Sequence, residues 1–358
     1  MTHPTTVPIW ESLLKAGIVQ DPPPQSRELD TPWYVKVLLA LSGWLAALCL
    51  FAFFGMLLKS LLFNSAISFI IGSVLIGAAI SVLRLHKKEF YEHLAIATSL
   101  TGQALVVFAM TNYLKGSSET VWLLIALLEI ALLFVIPNFI HRVFSAYFAT
   151  VALTFLMLSI GVSFIFSITL VFFTCWLWLN EFRYPQHMKM IQAAGYALLL
   201  AINQLNTLAL TTYISFSSKL HQVHPEAWVQ PWMSEFPIAI PMLYVVWQQL
   251  KRNGHRITEL FSIMILAATV MINVISMEVG GLNEGILILL LGYAGSNRVI
   301  LGLGIITLLV NLSSYYYLLE TTLLVKSQIL FFTGVLLLAA RWLLLRFISD
   351  AKEPKNAR

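Results

Sequence analysis

Apolar residues run in long blocks along most of the chain, and short polar or basic stretches interrupt them at intervals. The blocks are too long for the two-residue alternation of a half-buried strand, and longer than the helices of a soluble core. A bilayer core takes about 20 apolar helical residues per crossing. On that measure the chain reads as twelve segments: 35–58, 62–83, 92–114, 119–136, 139–159, 162–181, 188–213, 234–251, 256–277, 281–295, 298–319 and 322–347. Only a weak break at Ile160-Gly161 separates the fifth from the sixth. The tenth is short and framed by Gly280, Gly281 and Gly292, which predicts a tilted or broken crossing. The expected fold class is all-α, a polytopic transmembrane helix bundle.

The basic residues test this count. With the N-terminus inside and every segment crossing, only Lys59, Lys115, Lys219 and Lys326 face outward, leaving 18 of the 22 inside. Basic residues accumulate on the cytoplasmic side of membrane proteins, so the split predicts an N-in, C-in chain. A re-entrant tenth segment would turn the basic C-terminal stretch outward, against this bias. Aromatic side chains prefer the headgroup level. Trp33, Tyr34, Trp176, Trp178 and Trp247 fall at proposed inner ends, and Tyr113, Trp122, Tyr213 and Tyr315 at outer ends.

Composition agrees. Of 358 residues 59% are hydrophobic and 11% charged, against about 25% charged in a soluble domain. A soluble enzyme, a disordered chain and a secreted disulfide scaffold are excluded. Cys49 and Cys175 sit in apolar runs and read as small packing residues. The net charge of +5 belongs to orientation, so no nucleic-acid partner is expected; the bilayer is the expected surrounding.

Three regions follow. Residues 1–34 form a cytoplasmic segment, with a short amphipathic helix expected over 7–19 and a stiff connector at Pro22, Pro23 and Pro24. Residues 35–347 are the membrane domain, and 348–358 a cytoplasmic tail. The first apolar run begins near Val35, too far in and too long for a signal-peptide core. The outer loop near 214–233 carries His221, His224 and Glu226, but no third convincing ligand is fixed nearby. An interfacial helix is the plainer reading, and no metal or cofactor is expected.

Two stretches one hundred residues apart are alike: Phe108-Ala109-Met110-Thr111-Asn112-Tyr113 and Leu208-Ala209-Leu210-Thr211-Thr212-Tyr213. A looser Leu312-Ser313-Ser314-Tyr315 ends the eleventh segment. The pattern suggests three parallel four-helix repeats. Chance similarity among Leu/Ala/Thr/Tyr-rich helices is the plainer alternative.

Intramembrane polar residues point to function, because each is costly to bury: about 2.5–3.5 kcal/mol for a charge at the centre of a helix. Glu129 stands out between LLIALL and IALLFV. At about 1.5 Å per residue, Glu129, Gln103, Asn203, Gln204, Asn206 and Asn311 fall at comparable depths and form a candidate polar layer. The sharper reading is a polar cavity or proton site with Glu129 titrating. The plainer one is interhelical hydrogen bonding, at about 0.6 kcal/mol per bond. Glu284 is placed to cap the tenth segment. P-loop, zincin, C-x-x-C and nucleophile-elbow motifs are absent, so no enzyme is expected.

Pro32-Trp33-Tyr34-Val35 with Gly43-Trp44-Leu45-Ala46-Ala47, and Leu291-Gly292 through Asn297-Arg298 with Leu301-Gly302-Leu303-Gly304, resemble a bacterial family of membrane proteins. The ending resembles it most, in Tyr315-Tyr316-Tyr317, Thr322 through Ser327 with Lys326, and Ala340-Arg341-Trp342. The family is that of domain of unknown function 4401, and the likeness spans nearly the whole chain. It implies a bacterial inner-membrane protein encoded beside a second membrane protein and a small protein named for a GDYXXLXY motif. It draws attention to Tyr315, Tyr316, Tyr317, Lys326, Ser327 and Arg341 without giving them a role. Two functions are weighed ahead of a membrane-embedded enzyme, for which no acid–base or nucleophile cluster is visible. One is a transporter-like protein for a lipid-like or weakly polar substrate. The other is a non-catalytic membrane scaffold or assembly subunit for co-encoded membrane or periplasmic partners.

Overall fold

The computed structural model describes residues 64–85, 89–114, 118–217, 231–256, 258–276 and 281–318. It also describes Gly17 and isolated positions between 35 and 56 and between 323 and 338. The side chains of 89, 163, 205–217, 231–236, 275 and 315–318 are outside the description. Among the described residues the regular structure is entirely helical. The helices are α1 (Ser65–Leu85), α2 (Glu89–Tyr113), α3 (Ser118–Val135), α4 (Phe139–Ser159), α5 (Ser163–Leu179), α6 (Met188–Ser217), α7 (Pro231–Arg252), α8 (Leu260–Ser276), α9 (Leu282–Ala294) and α10 (Arg298–Leu318). They coincide with the second to eleventh predicted segments. The first and twelfth segments, the 7–19 helix and the His221/His224/Glu226 loop lie outside the continuously described residues.

By length and composition Ser65–Leu85, Phe90–Tyr113, Ser118–Val135 and Phe139–Ser159 can each cross a membrane. Phe164–Leu179, Leu260–Val274, Leu282–Ala294 and Arg298–Ser314 are shorter apolar helices. The chain is a membrane protein on this composition. The weak break at Ile160-Gly161 is a complete stop. Gly161 is left-handed at φ +79°, and Val162 N–H donates back to Met157 O at 2.9 Å. That is the glycine-based C-cap. The sixth segment ends at Leu179 and not at 181, and the ninth begins at Leu260 and not at 256. Glu181 and Glu259 therefore stand outside the apolar helices.

The chain forms two compact units, Met1–Lys115 and Gly116–Arg358. In the first, α1 packs on α2. A Cβ on Gly72 would come within 2.6 Å of Gly102 O, and one on Gly102 within 2.6 Å of Gly72 O. Small residues let two membrane helices approach to backbone contact, where dispersion replaces the hydrophobic drive that lipid cannot supply.

In the second unit, α3 pairs with α4, α4 packs on α6, and α9 pairs with α10. The α9–α10 pairing is antiparallel: Gly292 faces Leu301, Gly304 faces Leu289, Gly285 faces Leu308 and Gly281 faces Asn311. The core between α5, α6, α7, α9 and α10 is filled by Cys175, Leu199, Met242, Val245, Leu287, Ile288, Leu291 and Ile300. Cys175 is buried there as the packing residue expected.

Tyr196 organises one end of this unit. Its ring packs edge-on against Trp178 and Phe139, and its hydroxyl accepts from Asn297 Nδ2. Arg252 from the end of α7 donates to Leu179 O at the end of α5. The starts of α4, α6 and α10 and the ends of α5 and α7 thus lie together. Arg142, Arg183, Lys189, Lys251, Arg252, Arg256 and Arg298, the basic residues described in this unit, all belong to this end.

Candidate functional site

The α3–α4 hairpin builds the site. Pro137 stops α3, because a proline has no N–H to continue the ladder. Asn138 caps α4, its Oδ1 accepting from His141 N–H at 3.1 Å. Arg142 Nε donates at 2.9 Å to Ile136 O, a carbonyl at the end of α3, where a cation suits the helix dipole. These contacts set the helices in register. Ala126, Ala146, Ala149 and Ala152 are buried, which lets α3 and α4 approach closely. Trp122 stacks on Phe155 at 4.7 Å near the opposite end.

In this register Glu129 on α3 meets Ser145 on α4. The Glu129 carboxyl is 2% exposed and lies beside the Ser145 hydroxyl. Ser145 Oγ lies 3.3 Å from His141 Nδ1, one turn earlier on α4. Ser145 and His141 are fully buried. Glu129 Oε2 has no hydrogen-bond partner.

The three groups form a chain with two complementary proton arrangements. A protonated His141 Nδ1 donates to Ser145 Oγ, which donates to an ionised Glu129. Alternatively a protonated Glu129 donates to Ser145 Oγ, which donates to His141 Nδ1. A hydroxyl can turn between these arrangements, since it both donates and accepts. The chain runs from Glu129, within α3, toward the basic end, where α4 begins. It is not a nucleophile triad. There the imidazole stands between hydroxyl and carboxylate and takes the hydroxyl proton. Here the hydroxyl stands between carboxyl and imidazole.

Gln103 and Asn311 of the predicted polar layer make contacts of their own. Gln103, in the first unit, is buried and donates to Ser99 Oγ at 3.3 Å within its own helix. Asn203 is half-buried and Gln204 exposed, so adjacent positions on α6 face different surroundings. The Asn206 side chain lies outside the described residues. Asn311 is buried and donates from Nδ2 to Gly281 O at 2.9 Å. It holds the left-handed turn that starts α9, where Gly281 has φ +85°. Glu284 is fully buried in the first turn of α9, and the Ser276 hydroxyl accepts from Asn283 N–H at 3.0 Å. Ser327 Oγ donates to Leu324 O in its own helical turn. The side chains of Tyr315, Tyr316 and Tyr317, and residues Lys326 and Arg341, lie outside the description.

Sequence reasoning found Glu129 but missed Ser145 and His141. A histidine at the start of a segment reads as an interfacial residue, and a serine in a segment as a helix-packing residue. The spacing of Glu129 before Pro137 and of Ser145 after Asn138 is the signal that pairs them.

A family model described as a domain of unknown function (DUF4401) matches residues 32–347. No curated protein and no solved structure gives a match.

Proposed function

The chain belongs to the family of domain of unknown function DUF4401, and on that premise we propose that it is a transporter-like membrane protein whose working cycle moves a proton on Glu129. The observation that carries this reading is the buried Glu129–Ser145–His141 chain. Ionisable groups inside a membrane are costly, and they recur in proton relays. The substrate is lipid-like or weakly polar, because polar side chains are sparse along the apolar segments. A non-enzymatic role is part of this proposal: the hydroxyl of the site is fully buried in the hairpin, out of reach of a substrate.

The setting proposed is the bacterial inner membrane. Twelve crossings with both termini inside fit the gathering of the described basic residues at one end of the second unit. The alternation of ends from α4 to α10 has the same implication. The four-helix repeat is kept as a proposal on its sequence likeness alone. Accessibility of single cysteines placed in each connecting loop tests the twelve-span topology.

The test of the proton reading uses Glu129→Gln and Glu129→Leu. Both are expected to fold, and both to fail in complementing a deletion strain. In purified protein, infrared titration is expected to show a carboxyl band that changes with pH and is missing from the Gln variant. Full complementation by both variants would sink the reading.

A second reading is a membrane scaffold for co-encoded membrane and GDYXXLXY-motif partners. The packed core of the second unit favours it, and the described cavity, near Gln249 and Arg298, is not lined by Glu129. Co-purification of those partners with wild-type and Glu129→Leu protein alike supports this reading over the first.

A further inference from the structure

At the basic end of the second unit, the end of α7 and the α9–α10 turn border an open surface cavity of about 460 Å³. Gln249, Asn253, Tyr293, Ser296, Arg298 and Leu301 line it. Its size is that of a small-ligand site.

The lining is rich in hydrogen-bond donors. Arg298 has donors only. Gln249 Nε2 is buried and has no acceptor. A group that brings acceptors suits such a lining. Ser296 and Tyr293 add hydroxyls, and Asn253 an amide.

Charge points the same way. Lys251 lies over the Trp247 ring at 5.7 Å, and Arg252 is held by Leu179 O. Arg298 faces the cavity as the first residue of α10, where the helix dipole is positive. The carboxylates of this end are engaged or shielded. Glu259 accepts from Arg256 N–H and contacts His255. Glu181 is buried, and its oxygen approaches Gly295 from beside the turn.

The turn itself holds strain at the cavity. Ser296 has φ +51° and is the non-glycine residue with positive φ among those described. Asn297 N–H donates to Gly292 O at 2.9 Å and Ser296 N–H to Tyr293 O at 3.1 Å. This is the Schellman ending, whose left-handed position is normally glycine. Here a serine occupies it and places a hydroxyl at the cavity.

We propose that this cavity binds a phosphate group, the chemistry shared by anionic phospholipid headgroups and soluble phosphate esters. Basic pockets between membrane helices take such headgroups. Arginine matches phosphate with paired donors, and the Gln249 side chain lines the same cavity. The proposal needs only the fold of the second unit and is independent of the Glu129 reading.

The test uses the full chain in nanodiscs. Native mass spectrometry counts phosphatidylglycerol retained against phosphatidylcholine. Calorimetric titration with glycerol phosphate, in phosphatidylcholine alone, reads the soluble source. Arg298→Gln and Gln249→Leu are expected to lose about tenfold in affinity each, the value of one charge-assisted or buried hydrogen bond. Arg298→Lys keeps the charge without the fork and is expected to bind at an intermediate level. Glu129→Gln is expected to bind as wild type does. Arg298-dependent retention of phosphatidylglycerol assigns the site to lipid, and Arg298-dependent titration by glycerol phosphate to a soluble ester. Failure of wild type to bind either probe overturns the proposal. So does binding left unchanged in Arg298→Gln and Gln249→Leu proteins that melt like wild type.

Discussion

Asn297 Nδ2 donates to the Tyr196 hydroxyl at 3.0 Å, joining residues 101 positions apart. The same Asn297 caps α10, its Oδ1 accepting from Val299 N–H at 3.0 Å and Ile300 N–H at 3.3 Å. One side chain therefore starts a helix and locks it to α6. The Asn297-Arg298 pair that marks the family likeness has a structural meaning: the first residue holds the turn and the second faces the cavity.

Asn297→Ala is expected to destabilise the protein by about 2 kcal/mol, roughly half from the lost cap and half from the lost bond. Tyr196→Phe should lose only the bond, about 1 kcal/mol. Adding Tyr196→Phe to Asn297→Ala should cost little more. Unfolding in detergent of the two single variants and the double variant measures this coupling.

Gly292→Ala and Gly302→Ala should part company. A Cβ on Gly292 would lie 2.6 Å from Leu301 N, backbone that cannot swing aside. Forcing it in should cost about 1–3 kcal/mol. A Cβ on Gly302 meets nothing within 4 Å. There alanine should be neutral or stabilise by up to about 1 kcal/mol through helix propensity. Equal thermal midpoints for the two variants would contradict the observed α9–α10 packing.

Ser296→Gly should stabilise the turn by about 1 kcal/mol, since glycine adopts the left-handed conformation without the Cβ penalty. It should also weaken phosphate binding at the cavity, because the hydroxyl is lost. A more stable variant with weaker binding is the signature of strain kept for a site. Thermal unfolding and the phosphate titration read the two effects separately.

Glu181 and Glu259 should impose opposite pH trends. Burial raises the Glu181 pKa above its ordinary 4.5, with a hydrogen bond from Gln192 opposing. The unfolded chain then ionises first as pH rises. Stability from Glu181 is full below the ordinary value and is lost as pH rises through the folded one. Bonds from the Arg256 backbone and the His255 ring lower Glu259. Its stability is full above the ordinary value and is lost as pH falls through the folded one. Thermal midpoints of Glu181→Gln and Glu259→Gln across acid to neutral pH should each remove one of the two slopes.

Much of the helix order was legible in the chain. Apolar blocks set the positions of α1 to α10 within a few residues, and the basic residues separated their two ends. Boundaries shifted at the turns at Asn180 and Glu259, while the break at Gly161 fell where the apolar blocks placed it. The candidate layer was legible only by depth. Depth does not say which way a side chain points, so Glu129 is buried on α3 while Gln204 on α6 is exposed.

The sequence by itself determined that this is a helical membrane protein and that Glu129 is a carboxylate set within an apolar segment. The reason is that bilayer thickness and insertion bias act on local composition. Only the tertiary structure decided what Glu129 meets. The Pro137-Asn138 turn and the buried alanines set the register of α3 on α4, and that register puts Ser145 between Glu129 and His141. It also decided the basic cavity, since Gln249 and Arg298 are brought together by helix packing and not by any spacing along the chain.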